Sequence, residues 1–265
     1  VVALLAGYLA ERLRRTGGAL AEANERAASA ERLAMLGRIA AGLAHEIRNP
    51  LGSISGCIEL LREAPGLGEE DRRLCDIIQR EAGRLNQLVS DMMDLARPRK
   101  PEPQPVDVTS MARDVVELAS RSERSAGDVT VRYEGPQEPV WAMCDGGQMR
   151  QVLWNLVRNG VQASGAGKTV TVSVKQTPAR VFLAVTDEGP GLDPGSEAKI
   201  FDAFYTTRSQ GAGIGLAVVR RIIDDHAQFG ASIEVRSGRR RDKKGGRAEG
   251  SAIAGATFEV GLART

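Results

Sequence analysis

Aromatic side chains are scarce in this chain of 265 residues, with 2 Trp, 3 Tyr and 5 Phe. So few rings argue against a surface built to stack on bases. An excess of one charge is also lacking, since 36 Lys and Arg face 34 Asp and Glu. The formal charge of +2 gives no electrostatic reason to expect nucleic acid as the main partner. Cysteine is limited to Cys57, Cys75 and Cys144, with no CxxC spacing. That excludes a disulfide scaffold and reads as free thiols in a reducing compartment. Only two histidines occur, His45 and His226, so a zinc site of the common His/Cys type is not expected. Apolar residues reach 42%, ordinary globular usage that permits a real core.

Long hydrophobic runs are missing too. The longest apolar stretch, VVALLAGYLA at residues 1–10, is followed at once by ERLRR. Spanning a bilayer takes roughly twenty residues. The stretch reads as the cytoplasmic end of a transmembrane helix, with Arg12, Arg14 and Arg15 as its positive-inside flank. The other reading is the start of a buried or coiled helix.

Residues 19–63 carry a helical pattern. Leu33, Ala40, Ile47, Ile54 and Leu61 recur every seven residues, and Leu36 and Leu43 supply the other seam position. Such heptads predict a coiled coil or helical hairpin. Pro50 falls inside the pattern and is expected to kink it. The breaker-rich APGLGEE at 64–70 predicts a turn. A second helix is expected from about Asp71 to Arg97, with Leu74, Ile78, Leu85, Leu88, Met92 and Leu95 at three- and four-residue steps. One hairpin buries too little surface alone, so two copies are expected to pair into a four-helix bundle.

The proline-rich PRKPEPQP at 98–105 marks a boundary. Beyond it, β-branched runs at 129–134, 170–176, 180–187, 231–237 and 256–262 interleave with helical segments near 108–123, 147–163 and 214–226. Strands and helices in this order predict an α/β sandwich. The expected division is therefore 1–18, end of a transmembrane helix and basic flank; 19–97, helical hairpin; 98–106, linker; and 107–265, α/β domain. The Gly-rich, basic 238–254 breaks the pattern and reads as a loop between two strands, with phosphate binding as the other reading.

Four segments carry chemistry. In the heptad register His45 falls at the outward f position, within AHEIRNPL and beside Glu46. A neutral imidazole nitrogen can accept a phosphoryl group and an adjacent carboxylate can take its proton, although a lone histidine is more often structural. Asn155 and Asn159, at i and i+4 in QVLWNLVRNGVQAS, share one helix face. Their amide oxygens suit Mg²⁺ held together with substrate phosphates. DEGPGL at 187–192 ends a hydrophobic strand with a carboxylate able to accept from an exocyclic amine, while Gly189 and Gly191 permit close backbone approach. GAGIGL at 211–216 opens a helix, where backbone N–H groups and the helix dipole favour phosphate. Each glycine motif alone also fits a tight turn; their order is the stronger signal.

AHEIRNPL resembles the phosphoacceptor box of bacterial sensor histidine kinases, and QVLWNLVRNGVQAS their N box. DEGPGL is similar to their G1 box, FDAFYTT to their F box and GAGIGL to their G2 box. The resemblance runs from about residue 31 to 263, with every box in family order. It implies a dimerising phosphotransfer hairpin followed by the ATP-binding sandwich shared with gyrase, mismatch-repair and chaperone ATPases. Neither GxGxxG after a first strand nor GxxxxGK[ST] is present, which sets aside Rossmann and P-loop readings.

By resemblance, His45 is the phosphorylated histidine, Glu46 the acid assisting proton removal, and Asn49 the residue orienting water to dephosphorylate a partner. Asn155 and Asn159 become Mg²⁺-ATP contacts, with the metal on Asn159 above all, and Asp187 the adenine-binding aspartate. Gly189, Gly191, Gly211, Gly213 and Gly215 shape the pocket and lid, with Leu216 beside them. Arg208 stands where the family often has a basic phosphate contact. Phe201 and Phe204 read as packing residues that seat the lid. Gly160 replaces the alanine usual after the second asparagine, and Ala212 a usual Thr. His226 is followed by Ala-Gln-Phe rather than by paired glycines.

The resemblance thus implies a homodimeric protein-histidine kinase using ATP and Mg²⁺, with a response-regulator receiver domain as partner. Regulator phosphatase activity, a membrane anchor and the cytoplasmic side of the bacterial inner membrane are also implied, and nucleic acid is not. Two rivals are a degenerate dimeric signalling scaffold and an ATPase clamp, the latter needing a downstream transducer domain.

Overall fold

The computed structural model describes residues 47–64, 66–96, 99–123, 129–193, 195–207, 213–238 and 255–265. His45, Glu46, Arg208, Gly211 and Ala212 lie outside these, as do residues 1–18, the seam positions Leu33, Leu36, Ala40 and Leu43, and the basic 239–254. The chain divides into two units, Val1–Pro98 and Arg99–Thr265.

The first unit is a helical hairpin. Helix α1 covers residues 47–62 and runs unbroken through Pro50; the turn in which Pro50 lacks its donor lies outside the described residues. Gly66, at φ +93°, turns the chain. Helix α2, Glu69–Ala96, opens with Glu69, Glu70 and Asp71, carboxylates that suit the positive end of a helix. Arg62 ties the helices near the turn, 3.5 Å from Asp76 and 3.2 Å from Gln79 Oε1. Leu51, Cys75 and Ala82 are buried. The expected seam residues are not: Ile47, Ile54, Leu61, Leu74, Ile78 and Leu85 are exposed in the single chain. Two helices cover only part of each other's apolar surface, so in the single chain the larger apolar stripe is left uncovered.

The second unit is a two-layer α/β sandwich. Its elements in chain order are β1 (Gln104–Asp107), α3 (Val108–Glu123), β2 (Thr130–Glu134), β3 (Trp141–Cys144), α4 (Gly146–Ala163), β4 (Thr169–Gln176), β5 (Arg180–Asp187), α5 (Gly215–His226), β6 (Ser232–Gly238) and β7 (Gly255–Ala263). The main sheet runs β2-β4-β5-β7-β6; β2 and β4 are parallel, the other neighbours antiparallel. Alternation buries one face: Val170, Val172 and Val174 on β4, Val181, Leu183 and Val185 on β5, and Phe258, Val260 and Leu262 on β7. Register aligns Tyr133, Val172, Val185, Phe258 and Val235 into one row across all five strands.

Strands β1 and β3 were not expected. They pair with each other, Gln104 opposite Cys144 through Asp107 opposite Trp141, so the segment read as linker ends in a strand. Four residues containing Pro105 carry no detectable period, and only the partner makes them a strand.

Candidate functional site

Helix α4 is the wall on which the site is built. Asp145 caps it, accepting from Gln148 N at 3.0 Å, while its other oxygen accepts from Glu102 N at 3.2 Å. Burial alone would raise the Asp145 carboxyl. The backbone donors of Gln148, Glu102 and Gly147, with the nearby His226, hold it below the ordinary value of 3.8. Next to it, burial and the neighbouring carboxylate push the Cys144 thiol up to about 12, so it stays protonated and inert. His226, fully buried, bonds Ile222 O through Nδ1 at 2.8 Å and faces Asp145 N through Nε2 at 3.3 Å. Its role is structural, tying the end of α5 to the cap of α4.

Asp187 follows the parity of Val181, Leu183 and Val185, which places a carboxylate on the buried face of the sheet, 3% exposed. A buried charge needs donors. Oδ1 accepts from Gly189 N at 2.8 Å and from Ala256 N at 3.3 Å. Glycines make this approach possible. A Cβ on Gly189 would stand 2.7 Å from Asp187 Oδ1, and one on Gly255, at φ +138°, would overlap the Asp187 carbonyl. Gly160 brings α4 against the same residue, its missing Cβ facing Val170 Cγ1 at 3.2 Å and Asp187 Cβ at 3.4 Å. Lys168 Nζ donates to Glu188 O at 2.7 Å, and Glu188 Oε2 accepts from Thr169 N at 3.0 Å, so the loop is held from its other side.

Asn155, buried, and Asn159, half-buried, sit on α4. Gly215 opens α5 within 3.8 Å of Asn155 Oδ1, measured from where its Cβ would be. The start of α5 thus lies by Asn155 and Asp187 lies by Gly160, five residues further along the same helix α4, with Leu216 next along α5. Gly191 and Gly213 both have positive φ, +77° and +65°. Phe204 N donates to Gly213 O at 2.9 Å, lacing the FDAFYTT segment to the start of α5. Phe201 packs edge-on against Phe258 at 6.5 Å. Phe204 does not pack as expected: it is 48% exposed at φ +69°, because its backbone is committed to Gly213. Asn49 lies on α1 in the other unit, exposed, its carbonyl accepting from Ser53 Oγ at 3.2 Å.

Gly255, Ala256, Lys168 and Arg158 escaped sequence reading. Gly255 opens a strand, a position that often marks close backbone approach. Arg158, one turn from Asn155, had a readable signal in its spacing.

Residues 144–264 match the family described as "Histidine kinase-, DNA gyrase B-, and HSP90-like ATPase", and residues 35–101 match "His Kinase A (phospho-acceptor) domain". The chain belongs to the sensor histidine kinases. Its relatives include the sensor histidine kinase ZraS of Salmonella typhi, 35% identical over 235 residues, covering 88% of this chain and 49% of that protein. The sensor protein kinase PilS of Pseudomonas aeruginosa is 37% identical over 201 residues, covering 74% of this chain and 37% of that one. The chain thus spans about half, or less, of the curated relatives it matches. Among solved structures, full-length ShkA in complex with AMPPNP aligns at TM-score 0.62 and 28% identity, over 86% of this chain and 46% of that one. Histidine kinase ThkA in complex with response regulator protein TrrA aligns at 0.59 and 26%, over 92% and 66%. The hairpin followed by an α/β ATPase-type domain is this family's architecture.

Proposed function

We propose that this histidine kinase binds Mg²⁺-ATP in its α/β domain, transfers the γ-phosphoryl group to His45 and passes it to an aspartate of a response regulator. The observation that carries this reading is that one helix, α4, is approached by the start of α5 at Asn155 and by Asp187 at Gly160, in a chain that also holds AHEIRNPL. Asp187, fixed by two backbone donors, reads the exocyclic amine of adenine. Gly189 and Gly191 admit the ring beside it, and Gly211, Gly213, Gly215 and Leu216 form the phosphate end with Arg208.

The donor set fits Mg²⁺. Among the described residues no three His, Cys, Asp or Glu gather as a metal cage. Amide oxygens on α4, Asn159 first and Asn155 second, would complete a shell shared with phosphate oxygens. Bound Mg²⁺ supplies neutralisation of charge on the transferring group. Glu46 takes the proton of the attacking imidazole, and in-line geometry contributes the rest. Asn49 positions water for the reverse function, dephosphorylation of the regulator.

The exposed stripe of Ile47, Ile54, Leu61, Leu74, Ile78 and Leu85 supports a homodimer through a four-helix bundle. Residues 1–18, apolar and then basic, support attachment at the cytoplasmic face of a membrane; among the described residues no helix is long and apolar enough to cross one. The domain division proposed is that of the sequence, with the linker shortened by β1. Incubation with γ-labelled ATP and Mg²⁺ tests the reading. The label is expected to be acid-labile, alkali-stable and lost in His45→Gln with ATP binding intact. Equal labelling of that variant overturns the assignment.

A further inference from the structure

Strand β5 leaves its partner β4 at Asp187. The register of the two strands ends with Val170 opposite Asp187, and the next rung would set Thr169 against Glu188. At Gly189 the chain lies instead against the end of α4, where a Cβ would stand 2.9 Å from Ala163 O. Two side chains close the gap. Glu188 Oε2 accepts from Thr169 N at 3.0 Å, and Lys168 Nζ donates to Glu188 O at 2.7 Å. Lys168 is itself anchored, its carbonyl accepting from Thr130 N on β2 at 2.9 Å.

The carbonyl that Lys168 holds belongs to the same peptide unit as Gly189 N. That unit is planar and trans, so its C=O and N–H point in opposite directions and turn together. Gly189 N donates to Asp187 Oδ1 at 2.8 Å. One rigid group therefore has Lys168 at one end and the Asp187 carboxylate at the other. A bond from an ammonium to the carbonyl fixes the tilt of the peptide and, by polarising it, strengthens the N–H as a donor. Asp187 is 3% exposed whereas Glu188 is exposed, so the aim of a buried carboxylate is set from the surface.

We propose that Lys168 is a positioning residue for base recognition, its ammonium fixing the Glu188–Gly189 peptide and through it the direction in which the Asp187 carboxylate faces the exocyclic amine. The inference rests on the ATP-binding reading above and deepens its adenine end. Lys168 touches no nucleotide atom in this role; it acts through the peptide.

Calorimetric titration of the whole chain with ATP and with purine riboside triphosphate, which lacks only the exocyclic amine, tests it. The parent chain is expected to prefer ATP. Lys168→Met should weaken ATP by about fivefold and leave the amine-free nucleotide unchanged, the scale of one hydrogen bond lost from good alignment. Lys168→Arg should recover part of the preference, because a cationic donor remains. Unchanged ATP affinity in Lys168→Met overturns the proposal. So does an equal loss for both nucleotides, the mark of a residue that only holds the fold together. If Lys168→Met fails to fold by circular dichroism, Lys168→Gln, polar but one atom shorter, is read against the same outcomes: selective loss of ATP supports the proposal, and unchanged or equal affinities overturn it. A parent chain that binds both nucleotides equally would overturn the reading of Asp187 and this proposal with it. One that binds neither would overturn the nucleotide reading itself.

Discussion

At the scale of single residues, the site is governed by how closely backbone can approach Asp187. Asp187→Asn removes a charge that accepts two N–H groups, and ATP binding is expected to weaken by about 1–3 kcal/mol, measured with a fluorescent nucleotide. Gly160 presents two opposed effects. Replacing it by Ala improves helix propensity by about 1 kcal/mol. The new Cβ would press on Val170 at 3.2 Å and Asp187 at 3.4 Å, and overpacking costs about 1–3 kcal/mol. The crowding wins, so Gly160→Ala is expected not to stabilise the protein. A rise in the urea midpoint equivalent to the full propensity gain would contradict that.

Elements are joined at their ends, and there the cap of α4 matters most. Asp145→Ala is expected to cost about 1 kcal/mol, read from chemical denaturation. The folded carboxyl lies below its unfolded value of 3.8, so its stabilisation is present in full above that pH. It is lost as pH falls through the folded value. Stability measured from neutral pH down into acid should therefore fall less steeply in Asp145→Asn, which retains a capping oxygen without the titration, than in the parent chain. An identical acid slope would remove the linkage.

For the whole molecule, the uncovered hairpin stripe predicts a dimer without nucleotide. Light scattering at micromolar concentration should give twice the chain mass, and Ile54→Glu with Leu85→Glu should drive it toward monomer, since each side chain is exposed only while no partner covers it. A monomeric parent chain would contradict the bundle. Asn49→Ala should preserve labelling of His45 while slowing loss of phosphate from the regulator at least tenfold, about 1.4 kcal/mol in barrier. Unchanged dephosphorylation would leave Asn49 with only its place beside Pro50.

Local pattern was enough for much of this. Strict alternation in VTVSVKQ and RVFLAVTD, and the three-four spacing before Arg97, made strands and helices legible, because each period records which side faces apolar surroundings. The boxes around Asn155, Asp187 and Gly213 were legible for the same reason, being short and contiguous. What crosses between elements was not. β1 and β3 exist only as each other's partners, and Phe204 takes an exposed, left-handed position because Gly213, nine residues on, claims its N–H. The closeness of Gly255 to Asp187 and of Gly215 to Arg158 joins residues distant in the chain. Sequence determined which residues could bear charge, turn or bury, since those are properties of single side chains and local periods; the tertiary structure decided which of them meet, since a contact requires two surfaces brought together by packing.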